Sequence, residues 1–158
     1  MRNLSELNIN EGGKPIRRPP PASDIVSAFQ DHFEVVIPDD YLRLLQHANG
    51  GHPEVNTVDP IGRPGASSWA VNWFYHLDAN RHTAASLWHA TDQWRRIYGH
   101  RILPFASDGF DNQFFLDFRV SPPSVRVLIC DEGSLEAVDI APSFAAFVDA
   151  LYIDPDML

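Results

Sequence analysis

The chain has 158 residues, 44% of them apolar, which suits one domain with a sizeable core and leaves little room for two. Twelve Lys and Arg stand against 21 Asp and Glu, a formal charge of −9, and a body this acidic repels phosphate backbones and argues against direct nucleic-acid binding. No apolar run approaches the roughly 20 residues needed to cross a bilayer, residues 1–6 lack the apolar segment of a signal peptide, and the single Cys130 fits a reducing cytoplasm.

The charge is uneven. Residues 1–23 carry +2, the remainder −11, and residues 102–158 alone −8. Such a surface attracts a basic protein partner; solubility is the other reading of the same excess.

Residues 1–22 read as a Pro-rich tail. Gly12-Gly13-Lys14-Pro15 and Arg17-Arg18-Pro19-Pro20-Pro21 favour extended geometry and a spacer role. A helix is expected from Ser23, capped by that serine, with Ile25, Val26, Phe29 and Phe33 on one stripe. Pro38 is placed to open a second helix, and Asp39 and Asp40 favour its positive end. Asn49-Gly50-Gly51 ends it, and residues 52–68 read as loop. Residues 69–77 alternate as one strand, and residues 83–98 fit a helix. Four strands follow, at 102–106 (irregular at Pro104), 113–118, 125–130 and 135–140. The last two form a hairpin around Asp131-Glu132-Gly133-Ser134. A final helix begins near Ser143 and buries Phe144, Phe147, Val148 and Leu151, and residues 153–158 form a short C-terminal tail. Connections this short exclude parallel crossovers, so the fold class is α+β, a largely antiparallel sheet packed against helices on one side.

No nucleotide-binding loop or nucleophile elbow is present, and nothing indicates a cofactor. His82 and His89 share a helix face but stand two turns apart, and His47 and His52 lack supporting ligands, so no metal site is expected. Asp108-Gly109-Phe110-Asp111-Asn112 lacks the distal glutamate of a calcium loop and reads as a turn. Asp117 is expected on the solvent face of its strand, with a catalytic carboxylate as the alternative, and Cys130 as an inert thiol. Trp69, Trp73, Phe74 and Tyr75 read as core, while Asn72 and His76 leave an interface open on the second face.

Four segments together resemble the SUKH superfamily, in its Smi/Knr-type branch, named for a fungal cell-wall-assembly regulator. They are Ile37-Pro38-Asp39-Asp40-Tyr41-Leu42-Arg43-Leu44-Leu45 running into Asn49-Gly50-Gly51; Leu103-Pro104-Phe105-Ala106-Ser107-Asp108-Gly109 with Asn112-Gln113-Phe114-Phe115-Leu116-Asp117; the strand Val125 to Asp131; and Ile140-Ala141-Pro142-Ser143-Phe144 with Phe147 to Leu151. The resemblance spans about residues 23–152. Where relatives have Gly before the Asn of the second segment, this chain has Asp111, which requires a different turn or a left-handed aspartate.

The resemblance implies a single α+β domain without a catalytic centre. Pro38, Tyr41, Asn49, Gly50, Gly51, Pro104, Asn112, Asp117, Ser143 and Phe144 become structural motif positions, with Asn49-Gly50-Gly51 as helix terminator and Ser143 and Phe144 as cap and core anchor. Bacterial relatives look like immunity proteins that neutralise a toxin, often a nuclease. The leading expectation is therefore a non-enzymatic, cytoplasmic binding module that occludes a basic toxin site through Asp108, Asp111, Asp131, Glu132 and Glu136. The alternatives are a regulatory scaffold and a small hydrolase using Asp108, Asp117 or a histidine.

Overall fold

A computed structural model describes residues 1–10 and 18–157. Among them the chain forms four α-helices, α1 (Ser23–Phe33), α2 (Asp39–His47), α3 (Leu87–Tyr98) and α4 (Phe144–Ala150). Its strands are β1 (Thr57–Val58), β2 (Trp69–Ala70), β3 (Trp73–Phe74), β4 (Ile102–Ser107), β5 (Gln113–Asp117), β6 (Ser124–Asp131) and β7 (Ser134–Ala141). Strands β3 to β7 make one antiparallel sheet in sequence order, and β1 and β2 pair separately. The class is α+β, as the short connections require. No helix of the described residues is long and apolar enough to cross a membrane.

The sheet is packed on both faces, not one. Every residue of β4 and β5 is buried. Consecutive strand residues point to opposite faces. Phe114 meets Phe147 of α4, while its neighbour Phe115 meets Tyr98 of α3. The run Gln113-Phe114-Phe115-Leu116 is thus a strand buried on both sides, which must have cover above and below. On the α4 face, Phe105 packs against Tyr41, Phe144 and Phe147 with ring centroids 5.3–5.7 Å apart.

The motif positions settle into this frame. Pro38 is the N-cap of α2, and Asp40 Oδ2 accepts from Ala145 N–H, which ties α2 to the start of α4. Ser143 caps α4 by accepting from Ala146 N–H at 3.1 Å. Ser23 is the first helical residue and makes no cap bond, so the capping expectation for α1 fails. The register shifts between Pro104 and Ala106, the irregularity that proline imposes inside a ladder.

Asn49-Gly50-Gly51 is not the cap of α2, whose C-cap is Ala48 in extended geometry. α2 already stops at His47, and the buried Asn49 amide bonds the Leu77 N–H and C=O and the Pro19 carbonyl, joining α2 to the chain beyond β3. Gly50 has φ +84, and a Cβ there would lie 2.9 Å from His76 Cβ. Gly51 bridges to Phe74 through both its N–H and C=O. Here glycine serves close approach as well as chain reversal.

Residues 69–77 are not one strand. β2 pairs with β1 and β3 pairs with β4, so the chain passes from one sheet to the other at Val71-Asn72. Phe74, Tyr75 and His76 are buried while Ala70 and Asn72 are exposed, which breaks the simple two-faced pattern. The stretch 52–68 contains β1, held on its other side by Tyr152.

Residues 1–10 depart from the spacer expectation; residues 11–17 of that segment lie outside the described residues. A 3₁₀ turn at Leu4–Leu7 buries Leu7 completely in the main core. Arg2 donates to the Leu151 carbonyl and to Glu6, and its N–H bonds Asp149. Replacing Leu7 by alanine is expected to lower the unfolding free energy by about 2–5 kcal/mol. Urea titration of both chains checks this; a change within about 0.5 kcal/mol is what a loose tail gives.

Candidate functional site

Two turns stand side by side at one end of the sheet. The first, Asp108 to Asn112, joins β4 to β5. Asp108 Oδ1 accepts from Phe110 N–H at 2.7 Å and Asn112 N–H at 3.1 Å, and Oδ2 accepts from Asn112 Nδ2 at 2.7 Å. Asp111 is left-handed, φ +67, the geometry its replacement of glycine demands. The second turn is Glu132-Gly133, closed by the pair Asp131 and Ser134. Asn112 Oδ1 accepts from Cys130 N–H at 2.9 Å and so fastens the first turn to the second.

This end combines charge with apolar exposure. Asp111, Asp131 and Glu132 are exposed, and Phe110, next to Asp111 in the first turn, is 83% exposed. Neither turn contains a Lys or Arg. Asp108 is half-buried with both oxygens engaged, so it organises the turn. Glu136 lies farther along β7 and meets Arg63 at 3.1 Å. The structure therefore brings four of the five expected acids to one sheet end and sets Glu136 on its flank. Burial pushes the Cys130 thiol above its ordinary pKa, and Asp111 and Asp108 add to the shift, consistent with an unreactive thiol.

The opposite end of β5 is the reverse electrostatically. Asp117 is only 4% exposed, not solvent-facing as alternation suggested. Arg119 clamps both its oxygens at 2.8 and 2.7 Å, and Arg126 adds a contact at 3.4 Å while also holding Asp139. Burial alone raises the Asp117 pKa, but the Arg119 hydrogen bonds and the charges of both arginines outweigh it, leaving the carboxyl below its usual range. Asp108 precedes β5 and Asp117 ends it, with four strand steps, about 13 Å, between Gln113 and Asp117 alone. The two carboxylates offered as catalytic do not converge, and each is already satisfied.

One feature the sequence did not suggest is a cavity of about 490 Å³ beside β3, lined by Asn10, Arg18, Gly51, His52, Trp73 and His76. His76 is buried rather than on an open interface. Its Nε2 lies 3.1 Å from Thr83 Oγ1, and its Nδ1 is 3.2 Å from Asp78 but poorly aligned for a hydrogen bond. Arg18 pairs with Asp78 at 3.0 Å. Burial lowers the His76 pKa; Asp78 opposes this and Arg18 reinforces it, so the ring favours its neutral form. His52 Nδ1 donates to the Asn72 carbonyl at 2.6 Å, and His47 is exposed on α2. No group of three metal-ligating side chains converges among the described residues. The signal for the cavity was Asn49-Gly50-Gly51, where missing side chains make room for His76 and Asn10.

These features define an α+β domain whose exposed distinguishing surface is an acidic, aromatic sheet end. Residues 20–150 match the family model described as SMI1 / KNR4 family (SUKH-1), and the chain belongs to that family. No curated protein matches the chain.

Asp117→Asn tests the arginine clamp. The folded pKa lies below the unfolded value of about 3.9, so the clamp stabilises above that value and its contribution fades as pH falls through the folded pKa. Near neutral pH the variant should lose about 1–3 kcal/mol, discounted for the exposure of Arg119. The gap between the two chains should narrow below about pH 4. Urea unfolding across pH reads this, and a gap constant down to the lowest pH contradicts it.

Proposed function

We propose that this chain is a non-enzymatic, cytoplasmic protein-binding module of the immunity type, which neutralises a toxin by covering its site. The carrying observation is the pair of adjoining turns, with Asp111, Asp131 and Glu132 exposed, an 83% exposed Phe110 in the first turn and no basic residue in either. Membership of the SMI1/KNR4 family supports the same reading.

The mechanism is occlusion. A nuclease presents a basic cleft to phosphate, and carboxylates held on rigid turns imitate the phosphate charge. Their field draws a basic cleft into encounter, and Phe110 supplies apolar area at the centre of the contact. Asp108 and Asn112 hold both turns in place through bonds already made, so little ordering remains on binding.

The test is purification of the chain with its partner from the native source, followed by association kinetics against ionic strength. The on-rate should fall steeply with added salt, by roughly tenfold or more. Phe110→Ala should act mainly on the off-rate, and Asp131→Lys with Glu132→Lys on the on-rate. An on-rate flat from low to high salt removes the electrostatic mechanism. A captured signalling protein in place of a toxin transfers the reading to a regulatory scaffold.

A further inference from the structure

The hairpin that carries Asp131 and Glu132 also ends the sheet. Among the described residues its last strand, β7, has β6 on one side and no strand on the other. The turn leaves two residues between Asp131 and Ser134, so that pair is hydrogen-bonded, and bonded pairs recur at Ile129 with Glu136 and Val127 with Val138. Leu135, Ala137 and Asp139 therefore turn their backbone N–H and C=O away from β6. Two contacts agree with this phase. Cys130, opposite Leu135, sends its N–H toward β5, where Asn112 accepts it. The outward Asp139 carbonyl accepts from Ile61 N–H at 2.8 Å.

That Ile61 bond covers the edge at Asp139 by a loop of the chain itself, and Arg63 of the same loop reaches the Glu136 side chain at 3.1 Å without touching the outward backbone groups nearer the turn. The half nearer the turn is open. Among the described residues the outward groups of Leu135 and the Ala137 N–H have no backbone partner, and the Ala137 carbonyl has only a long 3.3 Å bond from Arg126. An open edge is a template for another strand.

We propose that the edge of β7 from Ser134 to Ala137 takes an extended basic segment of the partner protein as an added strand. This rests on the protein-binding reading above. A second copy of this chain is a poor occupant, because pairing β7 with itself brings two strands carrying Asp131, Glu132, Glu136 and Asp139 together, acid facing acid, and the contacts of Arg63 and Arg126 with Glu136 and Asp139 offset only part of that charge. The alternation of β7 selects the occupant further. Leu135 and Ala137 share one face and Ser134 and Glu136 the other, so the fitting segment alternates apolar residues with Lys or Arg. Leu135, 43% exposed, gains cover from the apolar residues, and a Lys or Arg of the segment joins Arg63 at the Glu136 carboxylate.

The experiment uses the full isotope-labelled chain and a short synthetic peptide of alternating lysine and valine. Amide shifts and slowed hydrogen exchange are expected at Leu135 and Ala137. Methylating alternate peptide nitrogens, or Ala137→Pro in the protein, should weaken binding roughly tenfold, the loss of one or two net hydrogen bonds. Proline at this outward N–H removes no ladder bond, and circular dichroism checks the variant's fold; the methylated peptide needs no variant. Shifts mapping elsewhere, equal binding of the methylated peptide, or no binding at about millimolar concentration overturns the proposal. With a partner in hand, retention by folded Ala137→Pro sinks strand addition and leaves the binding reading intact. Capture of nothing by the native chain sinks that reading, while the peptide result still judges the edge.

Discussion

Phe114 and Phe115 are neighbours in the chain, lie on opposite faces of the sheet, and are both fully removed from water. Each such burial stabilises by about 1.5–3 kcal/mol, and having both requires that both faces of β5 be covered. The requirement places α4 with α2 on one side and α3 on the other. It also fixes where β5 can meet water, which is only at its two ends. The surface chemistry of the molecule is accordingly sorted to those ends.

The two ends have opposite character for a physical reason. At Asp117 a carboxylate sits where water is scarce, and two arginines make that tolerable. At Asp108 the carboxylate is satisfied by the turn's own N–H groups and by Asn112, so no cation is needed. The first end spends its charges on itself. The second leaves Asp111, Asp131, Glu132 and Phe110 facing solvent. The hairpin that carries Asp131 and Glu132 also carries the edge of β7, so charge and backbone groups without a partner among the described residues occur within a few residues of one another.

Much of the fold could be read along the chain, because its signals are local. The Ser143 cap, the Asn-Gly-Gly sequence, the Pro104 irregularity and the two-residue turn at Glu132-Gly133 each depend on residues within a turn or two. Alternation failed where a strand changes partners. Trp69 to Leu77 kept its period while passing between two sheets, and burial then followed the partners. Composition misled at residues 1–10, since a few apolar side chains in a polar stretch suffice: Leu7 enters the core and Leu4 and Ile9 pack against it. The acids of the candidate surface were identifiable from charge and turn position. Their adjacency was not, because it depends on the bond from Cys130 N–H to Asn112 across β5 and β6.

By itself the sequence determined the α+β class, the antiparallel hairpins, the Ser143 cap and the sign of the charge, each a property of short-range pattern or of sums over residues. The tertiary structure alone decided that helices cover both faces of the sheet. It also decided that Asp117 is buried against arginines, that His76 lies buried beside a cavity, and that two turns distant in the chain form one surface. Those outcomes depend on which segments pack together, and burial, pairing and strand-edge exposure are properties of that packing rather than of any one stretch of chain.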